Sequence, residues 1–232
     1  LPSRYIFDVH LGATIIPFGL LKPSRAVLPI DGQELMGEEQ INNADNGLRD
    51  WWRDVEQRWE DNKTKQSTLS LMDNLDYQNK LSKQLNAVKH RVVYPLSGNT
   101  LAAARLEDPQ SIIEQTLLWI PTSGVSEARY LTAILNAPVT TNLVSVYQSR
   151  GLFGARHFSK DVWRLPIPKY NPADLLHTEL VELAAKAEEV VTGVDAGSYG
   201  FQKYRRLVRE MLVEAGITDT MNAVVKTLLG ED

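Results

Sequence analysis

The chain has 232 residues, a net charge of −4 and no cysteine, which excludes disulfides and thiolate metal sites. This length suffices for one medium domain with an appendage, or for two small domains, and 43% hydrophobic with 23% charged residues is a globular composition without a membrane-length apolar run. The mild acidity argues against a uniformly basic nucleic-acid binder, but it allows one whose cations cluster on one face.

The first part of the chain predicts short strands and then a helix. In residues 4–30, runs of alternating apolar and polar residues are broken by glycine and by Pro17, which predicts short strands of a small, irregular sheet. In residues 42–65, large apolar residues recur at spacings of three and four. This pattern predicts an amphipathic helix with Asp45 or Asn46 as its N-cap.

The middle of the chain returns to strands before it becomes helical. β-Branched and aromatic residues predict three short strands, at 90–96, 100–105 and 116–120. A compact helix follows, with Ser126 as its N-cap and Pro138 at its end, and a further helix is predicted over 141–148.

The C-terminal part predicts helices alone. The first covers 171–191, with Asn171 as its cap, and two more cover 200–229 with a break near Gly216. The sequence therefore predicts an α+β fold, in which a small irregular mixed sheet packs with helices. We place the domain boundary near residue 170, between a body at 1–170 and a helical C-terminal extension at 171–232.

The segment between these two parts combines cations with glycines. Gly151 and Gly154 allow the main chain to turn or to approach another surface closely. Its cationic side chains, which can contact phosphates or base edges, include Arg150, Arg156, Lys160 and Arg164. Such a segment is typical of a surface that grips a polyanion.

The sequence predicts no catalytic site. The phosphate-binding motifs GxGxxG and GxxxxGK[ST], the nucleophile motif GxSxG and the Asn/Asp-Pro-Pro-Tyr loop of adenine methyltransferases are absent, and the four histidines form no metal-binding pair. Asp61-Asn62-Lys63, with Asp50 or Asp54 upstream, fits the triplet of a metal-dependent nuclease. Because acidic-x-basic triplets are common on amphipathic helices, we interpret this stretch as a solvated helix face and expect no metal site.

Five segments, taken in order, resemble one family of proteins. They are GATIIPFGLL at 12–21, NLDYQNKLSKQ at 74–84, HRVVYPLSGNTLAAARL at 90–106, EARYLTAILNAP at 127–138 and SRGLFGARHFSKDVWRLPIPKYNPADLLHTEL at 149–180. The series resembles the C-terminal target-recognition (specificity) domain of type IIG-like adenine-specific DNA methyltransferases of restriction–modification systems. Its most specific element is YLTAILNAP followed by LPIP and a helix, and the resemblance spans about residues 5–190.

The resemblance implies a division of labour within a longer bacterial, cytoplasmic protein, of which this chain, beginning at Leu1, is a piece. A methyltransferase domain elsewhere in the parent would bind S-adenosylmethionine, with or without a nuclease domain. This chain would bind no cofactor and would recognise a specific sequence of double-stranded DNA, in a role similar to half of a type I specificity subunit. The target-recognition domain would hold the duplex while the target adenine is flipped out.

DNA recognition assigns roles to particular side chains. Arginine can pair with guanine and glutamine with adenine through two hydrogen bonds, whereas other cations and histidine hold phosphates. The residues that we expect to contact DNA are Gln148, Arg150, Arg156, His157, Lys160, Lys89, Arg91, Lys22 and Arg25.

Other interpretations stay open at this point. Phe153, Phe158 and Trp163 could be core anchors, and the arginines around them could bridge carbonyls. The helical extension has an apolar stripe, formed by Leu176, Leu180, Leu183 and Ala187, that could pack on the body or on an absent methyltransferase domain. The chain could therefore be a protein-interaction module that docks through its helices, or an enzyme with an unrecognised site.

Overall fold

The structure, a computed structural model, describes residues 1–86, 88–148, 157–158, 161–195 and 199–231. Within these ranges it contains ten short strands and eight α-helices. It confirms the predicted α+β class, with small sheets and packed helices.

The strands are two to five residues long. They are β1 Ile6–His10, β2 Ile15–Ile16, β3 Gly19–Leu20, β4 Ser24–Val27, β5 Ile30–Asp31, β6 Glu34–Leu35, β7 Arg91–Pro95, β8 Ala104–Leu106, β9 Ile112–Ile113 and β10 Leu117–Pro121. The described strands form two three-stranded sheets, β4-β1-β9 and β10-β7-β8, and two hairpins, β2-β3 and β5-β6. The predicted small, irregular sheet is thus divided among several sheets.

The described helices are α1 Glu38–Asn42, α2 Asn46–Asn62, α3 Leu71–Leu75, α4 Val125–Asn136, α5 Pro138–Ser145, α6 Leu175–Thr192, α7 Phe201–Glu214 and α8 Ile217–Leu229. The longest helices are α2 and α6. A 3-10 helix, Asp161–Arg164, lies between α5 and α6. The predicted break between the last two helices is confirmed at Gly216, which adopts the left-handed conformation with φ +70°.

Contacts divide the chain into two compact units. Unit 1 comprises residues 1–9, 24–87 and 109–113, and unit 2 comprises residues 10–23, 88–108 and 114–232. Helices α6 to α8 belong to the same unit as β7, β8 and β10. This division differs from the boundary predicted near residue 170, because the C-terminal helices are packed into one core with α4.

Unit 1 is organised by α2. The side chain of Asp45 accepts a hydrogen bond from the backbone N–H of Leu48, at 3.1 Å, so Asp45 is the N-cap. Leu48 and Trp52 on one face of α2 are buried with Tyr5, Met36 and Ile41 in a small apolar core. The helix thus forms as its apolar periodicity predicts.

The opposite face of α2 carries the acidic residues that fit a nuclease triplet. Asp54 pairs with Arg58 at 2.9 Å and Asp61 accepts from Gln57 at 2.9 Å, all between exposed side chains. Among the residues that the structure describes, no group of three metal-ligating side chains comes together. These contacts within one helix are those of a solvated face.

Unit 2 has the larger core, built from α4, α6, α7, α8 and β7. Tyr130, Ile134 and Leu135 of α4 are fully buried against α6, where Leu180 and Ala184 are fully buried too. The predicted cap at Ser126 is wrong, because α4 begins at Val125 and Glu127 reaches back to the backbone N–H of Ser123, at 2.6 Å.

The apolar faces of the C-terminal helices are buried inside unit 2. Leu180, Leu183 and Ala187 of α6 lie in the core, with Leu176 packed against its edge. The equivalent core residues of α7 are Tyr204, Val208 and Leu212. Of the two alternatives for the stripe, the structure therefore supports packing on the body of the same chain.

The LPIP segment, residues 165–168, and the residues that follow it are hydrogen-bonded to α4 and α6. The hydroxyl of Tyr130 donates to the carbonyl of Pro168 at 2.9 Å, and the backbone N–H of Asn171 donates to Nδ1 of His177 at 2.9 Å. The rings of Tyr130 and His177 lie 4.5 Å apart between their centroids. These contacts hold the LPIP segment and the start of α6 against α4.

Helix α6 begins four residues later than expected, because Asp174 and not Asn171 caps it. The carboxylate of Asp174 accepts from the backbone N–H of Leu176 at 2.9 Å. Asn171 instead accepts from the N–H of Ala173 at 3.1 Å, which closes a turn before the helix.

Asn136, the last residue of α4, binds the backbone next to β8. Its amide oxygen accepts from the N–H of Ala103 at 2.9 Å, and its amide nitrogen donates to the carbonyl of Ala103 at 2.8 Å. The same carbonyl accepts from the N–H of Phe18 at 2.9 Å. The backbone of Ala103 is therefore hydrogen-bonded from two directions.

Candidate nucleic-acid interface

The end of helix α5 meets three other segments of unit 2. The N–H of Leu101 donates to the Thr141 hydroxyl at 3.2 Å, and the N–H of Phe158 donates to the carbonyl of Leu96 at 2.8 Å. The N–H of Asp161 in turn donates to the carbonyl of Phe158 at 2.9 Å. We call the surface formed here by residues 97–100, 146–148, 157 and 161–164 the α5 surface.

Phe158 anchors this surface from below. Its side chain is fully buried in the core of unit 2, as one of the alternative interpretations expects. A β-carbon on Gly98 would come within 3.3 Å of the Phe158 ring, and Gly98 has φ +159°. The turn at 97–99 thus lies close over a core aromatic.

Two exposed aromatic residues stand on the α5 surface. Tyr147 is 46% exposed and Trp163 is 45% exposed, so Trp163 is not the core anchor considered as an alternative. The guanidinium of Arg164 lies 5.0 Å from the centroid of the Tyr147 ring and 3.2 Å from the carboxylate of Asp161. An arginine at this distance from an aromatic face makes a cation–π contact.

Trp163 lies near a buried tyrosine, Tyr94, which is 1% exposed. Burial raises the pKa of Tyr94 to about 12, and the neighbouring indole of Trp163 opposes that rise only in part. The Tyr94 hydroxyl is thus neutral at physiological pH.

Two of the predicted DNA-contacting residues lie on the α5 surface. His157 is exposed, and its backbone forms an antiparallel bridge with Ser97. Gln148 is 6% exposed, and its amide nitrogen has no hydrogen-bond partner in the described part of the chain. His157 is therefore placed to contact a ligand, whereas Gln148 points into the protein.

Three predicted residues, Arg150, Arg156 and Lys160, lie outside the described residues, as do Gly151, Phe153 and Gly154. Their roles stay predictions. The described chain ends at Gln148 and resumes at Asp161, with His157 and Phe158 described between them.

Lys89, Lys22 and Arg25 are exposed. Lys22 and Lys89 belong to unit 2 and Arg25 to unit 1. Arg25 stands opposite Asp8 in the register of β1 and β4, so an acidic neighbour offsets its charge. Lys22 and Lys89 form no ion pair with the described residues.

Arg91 requires a correction. It is fully buried at the start of β7, and its guanidinium donates to the carbonyl of Asp108 at 2.5 Å. Burial lowers its pKa, although the charge of Asp108 acts in the opposite direction. This placement leaves Arg91 no surface to offer a polyanion, because every residue of β7 is buried.

Unit 2 also holds an ion-pair network away from the α5 surface. Glu188 accepts from Arg105 at 2.9 Å and from Arg129 at 2.8 Å, and the three side chains are 16–28% exposed. Burial raises the pKa of Glu188, but hydrogen bonds from both arginines outweigh it, so the pKa lies below its ordinary value. Arg105 also pairs with Glu107, so two carboxylates balance the two guanidinium groups, which makes the network structural.

Helix α7 uses two further arginines internally. Arg205 donates to the carbonyls of Ile15 and Gly12, both at 2.7 Å, and Arg209 donates to the carbonyl of Leu101 at 3.2 Å. Burial, with a smaller contribution from the charge of Arg209, lowers the pKa of Arg205 to about 10. These cations tie α7 to the sheet region and were not singled out by sequence pattern.

Sequence reasoning missed Tyr147 as a surface feature. The signal was present, because Tyr147 and Val146 follow the end of α5 and break its apolar periodicity. Trp163 gave no such signal, since its exposure depends on a 3-10 helix that hydrophobic spacing does not reveal.

No helix among the described residues has both the length and the apolar character needed to cross a membrane. No protein-family model matches the chain, and no curated protein matches it in sequence.

Solved structures do match. Over 99% of its length, the chain superposes on part of the type IIL restriction–modification enzyme MmeI, whose structure is described in complex with DNA, with a TM-score of 0.63 and 12% identity. The chain covers 29% of the length of MmeI. A second match is the type IIG restriction endonuclease BpuSI, with 14% identity, a TM-score of 0.47, and coverage of 97% of this chain and 26% of that one.

The superposition on MmeI shows a shared fold. The resemblance of the five sequence segments to restriction–modification proteins is thereby confirmed at the level of architecture. The chain has the fold of a segment of a restriction–modification enzyme, and it spans less than a third of that enzyme's length.

Proposed function

We propose that this chain recognises a specific sequence of double-stranded DNA for an adenine-N6 methyltransferase of a restriction–modification system, and is itself non-catalytic. One observation carries the proposal: nearly the whole chain shares its fold with a segment of MmeI, an enzyme described in complex with DNA. The five ordered sequence segments support it independently, because their resemblance is to target-recognition domains.

The proposed mechanism divides DNA contacts into two kinds. His157 on the α5 surface, together with Lys89 and Lys22, would hold phosphates and set the register. Arg150 and Arg156, from the glycine-containing segment, would hydrogen-bond to base edges in the major groove. Each good bidentate base contact discriminates by about 1–3 kcal/mol.

Methyl transfer belongs to another part of the parent in this proposal. S-adenosylmethionine, bound by the methyltransferase domain, would supply the methyl group for N6 of adenine. The residues of this chain would orient the duplex and contribute nothing to the covalent step.

A salt titration tests the binding step. Fluorescence anisotropy with a labelled random 20-bp duplex should show an affinity that falls roughly 10- to 100-fold between 50 and 200 mM salt, for about two to four phosphate contacts. Removing the charges of Arg150, Arg156 and Lys160 together by substitution with alanine should lower the affinity about tenfold. The triple variant Lys186→Ala/Lys203→Ala/Lys226→Ala, on exposed positions of α6, α7 and α8, removes the same number of charges and is the matched control.

Two results would contradict the proposal. The first is an affinity that does not change with salt. The second is an equal loss in the control variant, which would mean that binding follows total charge alone. Methylome sequencing of cells that carry the full-length parent tests the methylation step, because it returns the recognised motif and the modified base directly.

A further inference from the structure

We propose that Tyr147, Trp163 and Arg164 form a stacking platform that binds a nucleobase displaced from the duplex. The inference rests on the proposed function and adds the form of DNA that the α5 surface prefers. It starts from the concentration of exposed apolar side chains here: Val146 is 80%, Tyr147 46% and Trp163 45% exposed.

The guanidinium of the platform is held in place by its neighbours. Arg164 is held from one side by Asp161, at 3.2 Å, and from the other by the Tyr147 ring, at 5.0 Å. A surface that is already ordered loses little conformational entropy on binding, so exposed rings of this kind favour a ligand.

The chemistry of the platform fits a nucleobase. Two aromatic faces and a planar guanidinium are the groups on which unstacked bases lie, and the guanidinium adds an attraction to the adjoining phosphate. His157, exposed on the same surface, adds a second hydrogen-bonding group for the phosphate backbone. The platform is thus continuous with the proposed DNA interface, which favours DNA over a protein partner.

A paired duplex offers no base face for such stacking, because each base is covered by its neighbours. The platform therefore predicts preference for a duplex that contains an unpaired nucleotide. Base–aromatic stacking contributes enough that alanine substitution lowers affinity on the order of tenfold.

The experiment compares two labelled 20-bp duplexes that differ in one single-nucleotide bulge, with the full 232-residue chain at 50 mM salt. The wild-type chain should bind the bulged duplex about tenfold more tightly than the paired one. Tyr147→Ala should bring that ratio close to one while it leaves affinity for the paired duplex within about twofold. Trp163→Phe, which keeps a ring, should retain most of the preference.

Tyr199 supplies the matched control. It is 47% exposed, and the Lys203 ammonium lies 3.8 Å from its ring centroid, so it is an exposed aromatic with a cation in a different place. Tyr199→Ala should leave the ratio unchanged. Circular dichroism of each variant establishes that the fold is retained.

A second readout reports stacking directly. With 2-aminopurine as the bulged base, the wild-type chain should quench its fluorescence on binding, and Tyr147→Ala should not. Quenching that persists in Tyr147→Ala would overturn the platform even if the affinities changed.

The outcomes separate the platform from the proposed function. Equal binding of both duplexes by the wild-type chain, with salt dependence intact, overturns the platform alone. Binding of neither duplex overturns both. A preference that Tyr199→Ala abolishes as fully as Tyr147→Ala overturns the assignment to the α5 surface.

Discussion

Unit 1 and unit 2 differ in the balance of their charged residues and in the exposure of their ion pairs. Unit 1 has nine Lys and Arg against thirteen Asp and Glu, whereas unit 2 has sixteen of each. The ion pairs of unit 1 lie on the surface, as between Arg58 and Asp54, whose side chains are 74% and 58% exposed. Those of unit 2 include the half-buried network of Glu188, Arg105 and Arg129.

The difference shows that counting cations overstates the positive surface of unit 2. Arg91, Arg105, Arg129, Arg205 and Arg209 are committed to carbonyls or to Glu188 inside the unit. Under the proposed function, DNA binding depends on a few cations and on the α5 surface. The acidic unit 1, with its surface charges paired along α2, is the poorer candidate for a polyanion partner.

The largest expected effect tests whether each unit has its own core. Leu180→Ala in α6 should lower the free energy of unfolding by about 3 kcal/mol, because it leaves a cavity in a fully buried position. Hydrogen exchange should show the loss of protection mainly in β7, α4 and α6. Leu48→Ala is the matched substitution in α2 of unit 1, and the comparison of cores fails if both variants weaken the same amides equally.

A smaller effect is expected where unit 2 buries its charges. Glu188→Ala leaves the half-buried guanidinium of Arg129 without its acid and Arg105 with Glu107 alone, and should cost about 2 kcal/mol, below the full cost for a completely buried pair. Urea denaturation measures it. Glu210→Ala, which removes an exposed pair with Arg206, should cost less than about 0.5 kcal/mol. Equal losses in the two variants would contradict the difference between half-buried and exposed ion pairs.

A single hydroxyl tests the fastening of the LPIP segment. Tyr130→Phe removes the donor to the carbonyl of Pro168 and should lower the free energy of unfolding by about 1 kcal/mol. Thermal denaturation detects this change. Tyr147→Phe, at an exposed ring, is the control, and its stability should match that of the wild-type chain.

The smallest effect is a dependence on pH. The pKa of Glu188 is depressed in the folded state, so its contribution to stability is complete above the unfolded pKa, near 4.5, and disappears as pH falls through the folded value. The stability difference between wild-type chain and Glu188→Ala should therefore shrink below about pH 4.5. A difference that stays constant from pH 7 to pH 3 would show that the contribution of Glu188 is not electrostatic.

Much of this fold could be predicted from local patterns. The helix spacing in α2, the capping carboxylate of Asp45 and the break at Gly216 all follow from neighbours within a few residues. The caps of α4 and α6 were wrongly predicted, because several adjacent polar residues could serve and long-range packing chose among them.

The candidate site was less accessible to sequence reasoning. Trp163 lies near Tyr94, and the guanidinium of Arg91 donates to the carbonyl of Asp108. Both are contacts between residues far apart in sequence. The presence of a cation or an aromatic ring in the sequence therefore does not predict whether its side chain is exposed or buried.

The amide of Asn136 takes the place of a strand beside the sheet β10-β7-β8, in which β8 is an outer strand. By binding both the N–H and the carbonyl of Ala103, it satisfies backbone groups that are completely buried. A leucine of similar size would fill the space but leave the N–H of Ala103 without its acceptor, at a cost of about 1–3 kcal/mol, while the carbonyl would keep its bond from Phe18.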